Sequence, residues 1–80
     1  MSRALQLLLA AGRAIALRKM PYLGARVRGF DLREAPGLGT TAATADGSFL
    51  FDPVEMLTRT PSSVAWGFGH EALHLTLDHF

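Results

Sequence analysis

The final stretch of the chain, HEALHLTLDHF at residues 70–80, holds residue types that bind metal ions and activate water. On an α-helix, which turns about 100° per residue, His74 lies about 40° from His70 and one turn further on, so both imidazoles can reach one ion. Glu71 lies about 100° from His70, where its carboxylate can hold a water molecule without being a ligand. Zinc hydrolases use this H-E-x-x-H spacing: zinc lowers the pKa of a bound water to about 7, and the glutamate accepts its proton as the water attacks a carbonyl.

A zinc site of this kind needs a third protein ligand, and two residues are candidates. Asp78 lies about 80° from His70 on the same face of the helix, but its short side chain is better suited to orienting a ligand than to reaching the ion. His79 lies about 180° from His70 and can bind the same ion only if the helix ends or bends near Asp78. The residues by themselves leave the third ligand open among Asp78, His79 and a residue further downstream.

The helix around the motif is predicted to be buried on every side, with Trp66 and Phe68 in the core. Buried histidines and a buried glutamate need polar partners, and one metal ion would satisfy all three. The alternative is a pair of core histidines bonded to backbone carbonyls, with Glu71 in solvent; we favour the metal. The apolar residues that point in almost every direction around this helix are Val64, Ala65, Trp66, Phe68, Ala72, Leu73, Leu75 and Leu77.

The amino-terminal part of the chain predicts a helix followed by a strand. Ser2 is a good N-cap, and Pro21 stops a helix that we expect to end near Lys19. The stretch ARVRGFDLRE at residues 25–34 alternates charged with apolar residues, which predicts a half-buried strand. The predicted helix carries one apolar stripe, formed by Leu5, Leu8, Leu9, Gly12, Ile15 and Ala16.

The middle of the chain predicts a hairpin and two helix starts. Asp46-Gly47 lies between two extended runs, which indicates a type I′ turn joining strands near residues 40–45 and 48–51. Asp52-Pro53 is a cap followed by a proline at the first helical position, and Thr60-Pro61 repeats this signal before the last helix. The order of helix, strand, hairpin, short helix and long helix predicts an α+β fold with a small antiparallel sheet against helices.

Length and composition limit the possible metal chemistry. The 80 residues form one small domain, 1–80, whose stability is expected to be marginal because a chain of this size buries only about 60% of its unfolded surface. There is no cysteine, which excludes disulfides and thiolate metal sites. Any metal ion must therefore be bound by His, Asp or Glu.

Charge and hydropathy indicate few other partners. Residues 1–30 carry six cations and no acid, and all 7 acids lie in residues 31–80. The cations are scattered and lack interleaved aromatic residues, so we expect an ordinary helix with a solvated basic face and no nucleic-acid partner. The apolar stretch LQLLLAAG is too short to span a bilayer and is followed by Arg13, so we expect no membrane segment and no signal peptide, and a cytoplasmic location.

Residues 40–80 also resemble a known family. The segments TAATADGSFLFDPVEML and TPSSVAWGFGHEALHLTLDHF are similar to the zincin-like metallopeptidase domain that bacteria carry ahead of a von Willebrand factor A-like region. That family has a Thr-rich strand, an Asp-Gly turn, an aromatic strand ending in Asn/Asp-Pro, and a helix bearing H-E-x-L-H with a further His five residues on. The matching positions here are Asp46-Gly47, Asp52-Pro53, His70, Glu71, Leu73, His74 and His79.

The resemblance implies a zinc metallopeptidase that acts on a peptide or protein substrate. It makes His70, His74 and His79 the zinc ligands and Glu71 the general base. The family domain continues into further helices, so the resemblance also implies that residues 1–80 are the amino-terminal portion of a zincin-like domain. We therefore expect the chain to be incomplete as an isolated enzyme and to act with a carboxy-terminal part or a von Willebrand factor A-like domain.

A second class of function fits the same residues. Zinc binding supplies about 10–16 kcal/mol of apparent folding energy in small peptides, which is ample for a marginal domain. The chain is then a non-catalytic, zinc-stabilised structural or interaction module. Peptide cleavage that depends on Glu71 would distinguish the enzyme from the module.

Overall fold

Helices pack against one small sheet in this fold. The computed structural model describes residues 1–77. The elements are α1 (Arg3–Lys19), α2 (Gly24–Gly29), β1 (Asp31–Glu34), β2 (Thr41–Ala43), β3 (Ser48–Phe51), α3 (Pro53–Met56) and α4 (Pro61–Leu77), with a 3₁₀ turn at Pro21–Leu23. This is the α+β class that the sequence predicts. Across residues 1–77, no helix has the length and apolar character needed to cross a membrane.

The sheet is mixed rather than antiparallel. Its strand order is β1-β3-β2, with β3 in the centre. β2 pairs antiparallel with β3, as the predicted hairpin requires, whereas β1 runs parallel to β3 with Leu32 opposite Phe49. The prediction of an antiparallel sheet is therefore right for the hairpin and wrong for β1.

Three helices begin at the residues that the sequence predicts. Ser2 Oγ accepts a hydrogen bond from Leu5 N at 3.2 Å at the start of α1. Asp52 Oδ1 accepts one from Val54 N at 3.0 Å at the start of α3. Thr60 Oγ1 accepts one from the backbone N of the third residue of α4 at 3.2 Å. Each bond satisfies a backbone donor that has no partner inside its helix.

Residues 25–29 belong to a helix, so the predicted strand over 25–34 is wrong in its first half. Val27 is buried one turn after Leu23, and this i, i+4 pair faces the core while Arg26 and Arg28 face solvent. Over so short a stretch, alternation of arginine with apolar residues is compatible with the period of a helix as well as with that of a strand. Only residues 31–34 form the predicted strand.

The hairpin turn is one residue longer than the predicted type I′ turn. Gly47 N donates a hydrogen bond to Thr44 O at 3.0 Å, and Thr44 N donates one to Ser48 O at 3.0 Å. The loop therefore contains three residues, and its last residue, Gly47, has a positive φ of 90°. Three-residue hairpin loops commonly have this glycine. The Asp46 carboxylate accepts hydrogen bonds from Thr44 Oγ1 and Ser48 N, which hold its pKa below the usual range.

Aromatic rings form the centre of the core. Phe49 of β3 stacks on Phe68 of α4 with ring centroids 4.5 Å apart, and Phe30 contacts both rings. The guanidinium of Arg13 lies 5.3 Å from the centroid of the Phe68 ring and donates a hydrogen bond to the Phe30 carbonyl at 3.0 Å. Arg13 thus ties α1 to the aromatic core, whereas the sequence predicts it on a solvated basic face.

The helix α4 buries one face rather than its whole circumference. Phe68 is fully buried, as predicted, but Trp66, Leu73 and Leu77 are 72%, 43% and 51% exposed. The prediction of a fully buried helix with Trp66 in the core is therefore wrong. Within residues 1–77, α1 covers one flank of α4 and the sheet covers another, and a chain this small has too little surface to enclose the third.

Gly12 allows α1 and α4 to approach closely. A Cβ at this position would collide with the side chain of Val64 and lie 3.3 Å from the backbone N of Ala65. Both of these α4 residues are buried. A glycine inside a helix costs about 1 kcal/mol relative to alanine, and the contact with α4 explains why one is tolerated here.

We expect Gly12→Ala to lower the free energy of unfolding by about 1–3 kcal/mol, because overpacking against Val64 outweighs the better helix propensity of alanine. Urea unfolding followed by circular dichroism measures the change. Gly29→Ala is the matched control, since a Cβ at Gly29 meets nothing within 4 Å and no loss is expected. Equal losses in the two variants would contradict the close contact of α1 with α4.

Candidate metal centre

The two histidines of the motif meet on the open face of α4. The Nε2 atoms of His70 and His74 are 2.9 Å apart, and the ring planes are nearly perpendicular, at 88°. One imidazole donates a hydrogen bond and the other accepts it. His70 is exposed and His74 is half-buried. The i, i+4 spacing thus directs both rings to one point, but this point lies at the surface and not inside the core.

The paired nitrogens suit a shared zinc ion. Zinc binds imidazole nitrogens at about 2.0–2.1 Å in tetrahedral geometry, which separates two donor atoms by about 3.3 Å. The observed separation of 2.9 Å differs from this value by a few tenths of an ångström, which small rotations of either ring can provide. The donor atoms are also of the right type, since neutral imidazole is a common zinc ligand.

Glu71 is held beside the pair by the edge of the sheet. It is 6% exposed, and its Oε2 accepts a hydrogen bond from Thr41 Oγ1 at 3.0 Å. Because a buried carboxylate needs a partner, this bond fixes the orientation of the side chain. The alternative of buried histidines with Glu71 in solvent is wrong, since Glu71 is the buried member of the motif and His70 the exposed one.

Asp52 holds the loop that directly precedes Thr41 in place. Its Oδ2 accepts a hydrogen bond from Gly39 N at 2.9 Å, while its Oδ1 caps α3. The Gly39 bond is the main reason that the pKa of Asp52 lies below its usual range, and the Val54 bond adds to it. The carboxylate thus stays charged and ties the loop before β2 to the start of α3.

An open groove of about 640 Å³ runs beside Glu71. Its walls are the start of β2, one side of α4 from Trp66 to Glu71, and an ion pair between Glu55 and Arg59. Ligand sites in proteins commonly have volumes of about 300–1,000 Å³, so the groove is large enough for a short peptide.

The ion pair in the groove uses only part of its donors and acceptors. Arg59 Nε donates a hydrogen bond to Oε1 of Glu55 at 2.8 Å, and Nη2 lies 2.7 Å from the same oxygen. Oε2 of Glu55 is buried and has no hydrogen-bond partner among residues 1–77. The two side chains are 17% and 27% exposed, so the pair is partly shielded from solvent.

The predicted third ligands, Asp78 and His79, lie outside the described residues. Within residues 1–77, no group of three His, Cys, Asp or Glu side chains is placed to hold a metal ion. The assignment of His70, His74 and His79 as a ligand set therefore stays a prediction.

Sequence reasoning missed two residues that shape this site, Thr41 and Arg59. Only Arg59 had a usable signal, because it follows Glu55 by four residues, a spacing that places opposite charges together on a helix. Thr41 lies thirty residues before its partner Glu71, and no local pattern reports so distant a contact.

Comparison with known proteins gives no match. No protein-family model, no curated protein and no solved structure matches this chain. The resemblance to a metallopeptidase domain thus stays a prediction.

We expect Thr41→Val to lower the free energy of unfolding by about 1–3 kcal/mol, because a buried carboxylate loses its hydrogen-bond donor. Thermal unfolding measures the change. Thr40→Val is the matched control, since the neighbouring Thr40 is exposed and should tolerate the substitution. A neutral result for both variants would show that Thr41 does not hold Glu71.

Proposed function

We propose that the chain binds Zn²⁺ through His70 and His74 and belongs to a zinc-dependent peptidase in which Glu71 is the general base. The observation that carries this proposal is the convergence of the two Nε2 atoms, 2.9 Å apart, beside a buried and oriented carboxylate. Two imidazoles one helical turn apart beside such a carboxylate are the arrangement that H-E-x-x-H zinc peptidases use.

Zn²⁺ would act as a Lewis acid that brings the pKa of a water ligand to about 7. In the hydrolysis, the water oxygen bonds to the carbonyl carbon of the peptide, the C–N bond breaks, and Glu71 carries the proton from the water to the leaving nitrogen. Thr41 limits the motion of the carboxylate through its hydrogen bond to Oε2. The groove beside Glu71 gives the peptide backbone a path to this carboxylate.

The ligand set and the partners belong to the same proposal. His79 is the third ligand that the family resemblance implies. The same resemblance places a carboxy-terminal part or a von Willebrand factor A-like domain next to residues 1–80 in the working enzyme. A cytoplasmic location, which the short apolar stretch before Arg13 predicts, completes the proposal.

We expect the chain to bind one Zn²⁺ at micromolar concentrations or below, with reversal by a chelator, as measured by isothermal titration calorimetry. His70→Ala and His74→Ala should each weaken binding by more than the roughly 10–100-fold that loss of an outer-shell partner costs. Glu34→Gln, at an exposed position of β1, is the control and should bind zinc normally. A chain that binds no zinc at micromolar concentrations would refute the metal site.

We expect Glu71→Gln to abolish peptide cleavage while zinc binding is retained, because loss of a general base typically costs 10²–10⁴-fold in rate. Cleavage of a peptide library by the zinc-loaded protein that includes the carboxy-terminal part, followed by mass spectrometry, measures the effect. The alternative function, a zinc-stabilised module, predicts a different result. Zinc would then raise the melting temperature of both the native chain and Glu71→Gln, and neither would cleave peptides.

A further inference from the structure

An apolar cleft lies between α4 and the 3₁₀ turn. Three of the residues that line it, Met20, Leu23 and Gly69, are buried and form its floor. Its rim consists of the exposed residues Tyr22, Trp66, His70 and Leu73. The cleft has a volume of about 170 Å³. Since an apolar cavity of about 150 Å³ is large enough to hold benzene, the cleft can hold one large apolar side chain.

Gly69 allows Met20 to form part of this floor. A Cβ at Gly69 would collide with the Sδ and Cε atoms of Met20, so the thioether lies directly against the backbone of α4. A methionine side chain is flexible and polarizable, and it adapts to apolar groups of different shapes. The floor of the cleft is therefore apolar and adaptable, and it lies at the residue directly before His70.

The rim exposes three large apolar side chains to solvent. Tyr22 and Trp66 are 79% and 72% exposed, and Leu73 is 43% exposed. Apolar residues scattered singly over a surface are normal, whereas several around one cavity are typical of a ligand site. Tyr and Trp are also enriched among the residues that contribute most to binding energy. The rim thus has the composition of a binding site for an apolar group.

His70 and Trp66 separate the apolar cleft from the polar groove beside Glu71. Both residues line both cavities, and the two cavities share no other lining residue. The groove continues from them toward Thr41, and the cleft continues from them toward Met20. A peptide bound across His70 can therefore lie in the groove with its backbone and place a side chain in the cleft.

We propose that the apolar cleft binds a large apolar side chain of the peptide substrate, so that the site selects peptides with a leucine-like residue at that place over peptides with a polar one. This inference rests on the proposed peptidase function and names its class of substrate. Among the described residues that line the cleft, none is Asp, Glu, Lys or Arg, so a charged side chain would find no ionic partner there.

The exposed rim is small for a contact between two copies of the chain. An aromatic side chain buries about 150–250 Å², so Tyr22 and Trp66 together can contribute about 200–400 Å². A stable protein interface buries about 800 Å² on each partner. A single side chain in a cleft of this volume is therefore a better match to the apolar surface than a second copy.

The test is a ¹H–¹⁵N NMR titration of the zinc-loaded chain in the Glu71→Gln background, so that no ligand is cleaved. The probes are acetyl-Ala-Leu-Ala-amide and acetyl-Ala-Asn-Ala-amide, whose central side chains have nearly the same shape. We expect the Leu peptide to bind about tenfold or more tightly, because its side chain is removed from water. It should shift the indole N–H signal of Trp66, the one tryptophan of the chain, and the backbone signal of Thr41 in the groove. Equal affinities, or shifts that do not reach Thr41, would overturn the proposal.

Three variants locate the preference. Tyr22→Ser and Leu73→Ser should each reduce the preference for the Leu peptide while leaving the affinity for the Asn peptide unchanged. Both side chains lie on the exposed rim, so the fold should tolerate the substitutions. Leu7→Ser is the control, since Leu7 is 59% exposed on α1 and does not line the cleft, and it should retain the preference. A preference that survives both Tyr22→Ser and Leu73→Ser would overturn the proposal.

Two further measurements complete the test. Analytical ultracentrifugation without a probe should show a monomer, and a stable dimer that Tyr22→Ser dissociates would overturn the proposal in favour of a second copy. The signals of His70 and His74 report zinc binding in the same NMR samples. Zinc binding without a preference for the Leu peptide refutes only the role of the cleft. A preference that depends on Tyr22 in a chain that binds no zinc refutes only the peptidase.

Discussion

The stack of Phe68 on Phe49 determines how α4 is rotated against the sheet, and every feature of the site depends on that rotation. With Phe68 directed into the core, Glu71 falls at the border of the buried face, within reach of Thr41 on the edge strand. The same rotation turns His70 outward, together with the exposed Trp66 and Leu73. A helix rotated so that each residue took the place of the next one would bury both imidazoles as well as the carboxylate. Packing in the core thus decides that Glu71 is oriented by a neighbouring side chain and that His70 faces outward.

Signals that act within a few residues were sufficient to predict much of the fold. The caps at Ser2, Asp52 and Thr60 each bond a backbone donor two or three residues away, so the residues themselves reveal the helix starts. The parallel pairing of β1 with β3 is different, because it joins segments separated by the whole hairpin and leaves no local pattern. The helix at residues 25–29 differs from the predicted strand for a related reason. The burial of Val27 with Leu23 depends on a neighbouring helix, and alternation with arginine conceals it.

Only the part of the candidate site that lies on the single helix α4 can be predicted from the sequence. Spacing alone shows that His70 and His74 share a face, and the contact of their Nε2 atoms agrees with it. Apolar residues all round α4 suggested complete burial, but a helix can be covered only as far as the rest of the chain supplies surface. The hydrogen bond from Thr41 and the approach of Arg59 to Gly67 come from other elements. Both arise from tertiary packing and have no counterpart in the motif itself.

The contact of Gly12 with Val64 has a consequence for how the site is assembled. These residues are separated by about fifty positions, so α4 gains its neighbour α1 only after nearly the whole described chain has closed on itself. Closing a loop of this length is entropically unfavourable, and contacts of high sequence separation slow folding. The orientation of Glu71 by Thr41, which lies thirty residues away, therefore requires a chain that is already largely folded. For the proposed zinc site, affinity for the ion and cooperative folding of the domain would then be one equilibrium, in which each strengthens the other.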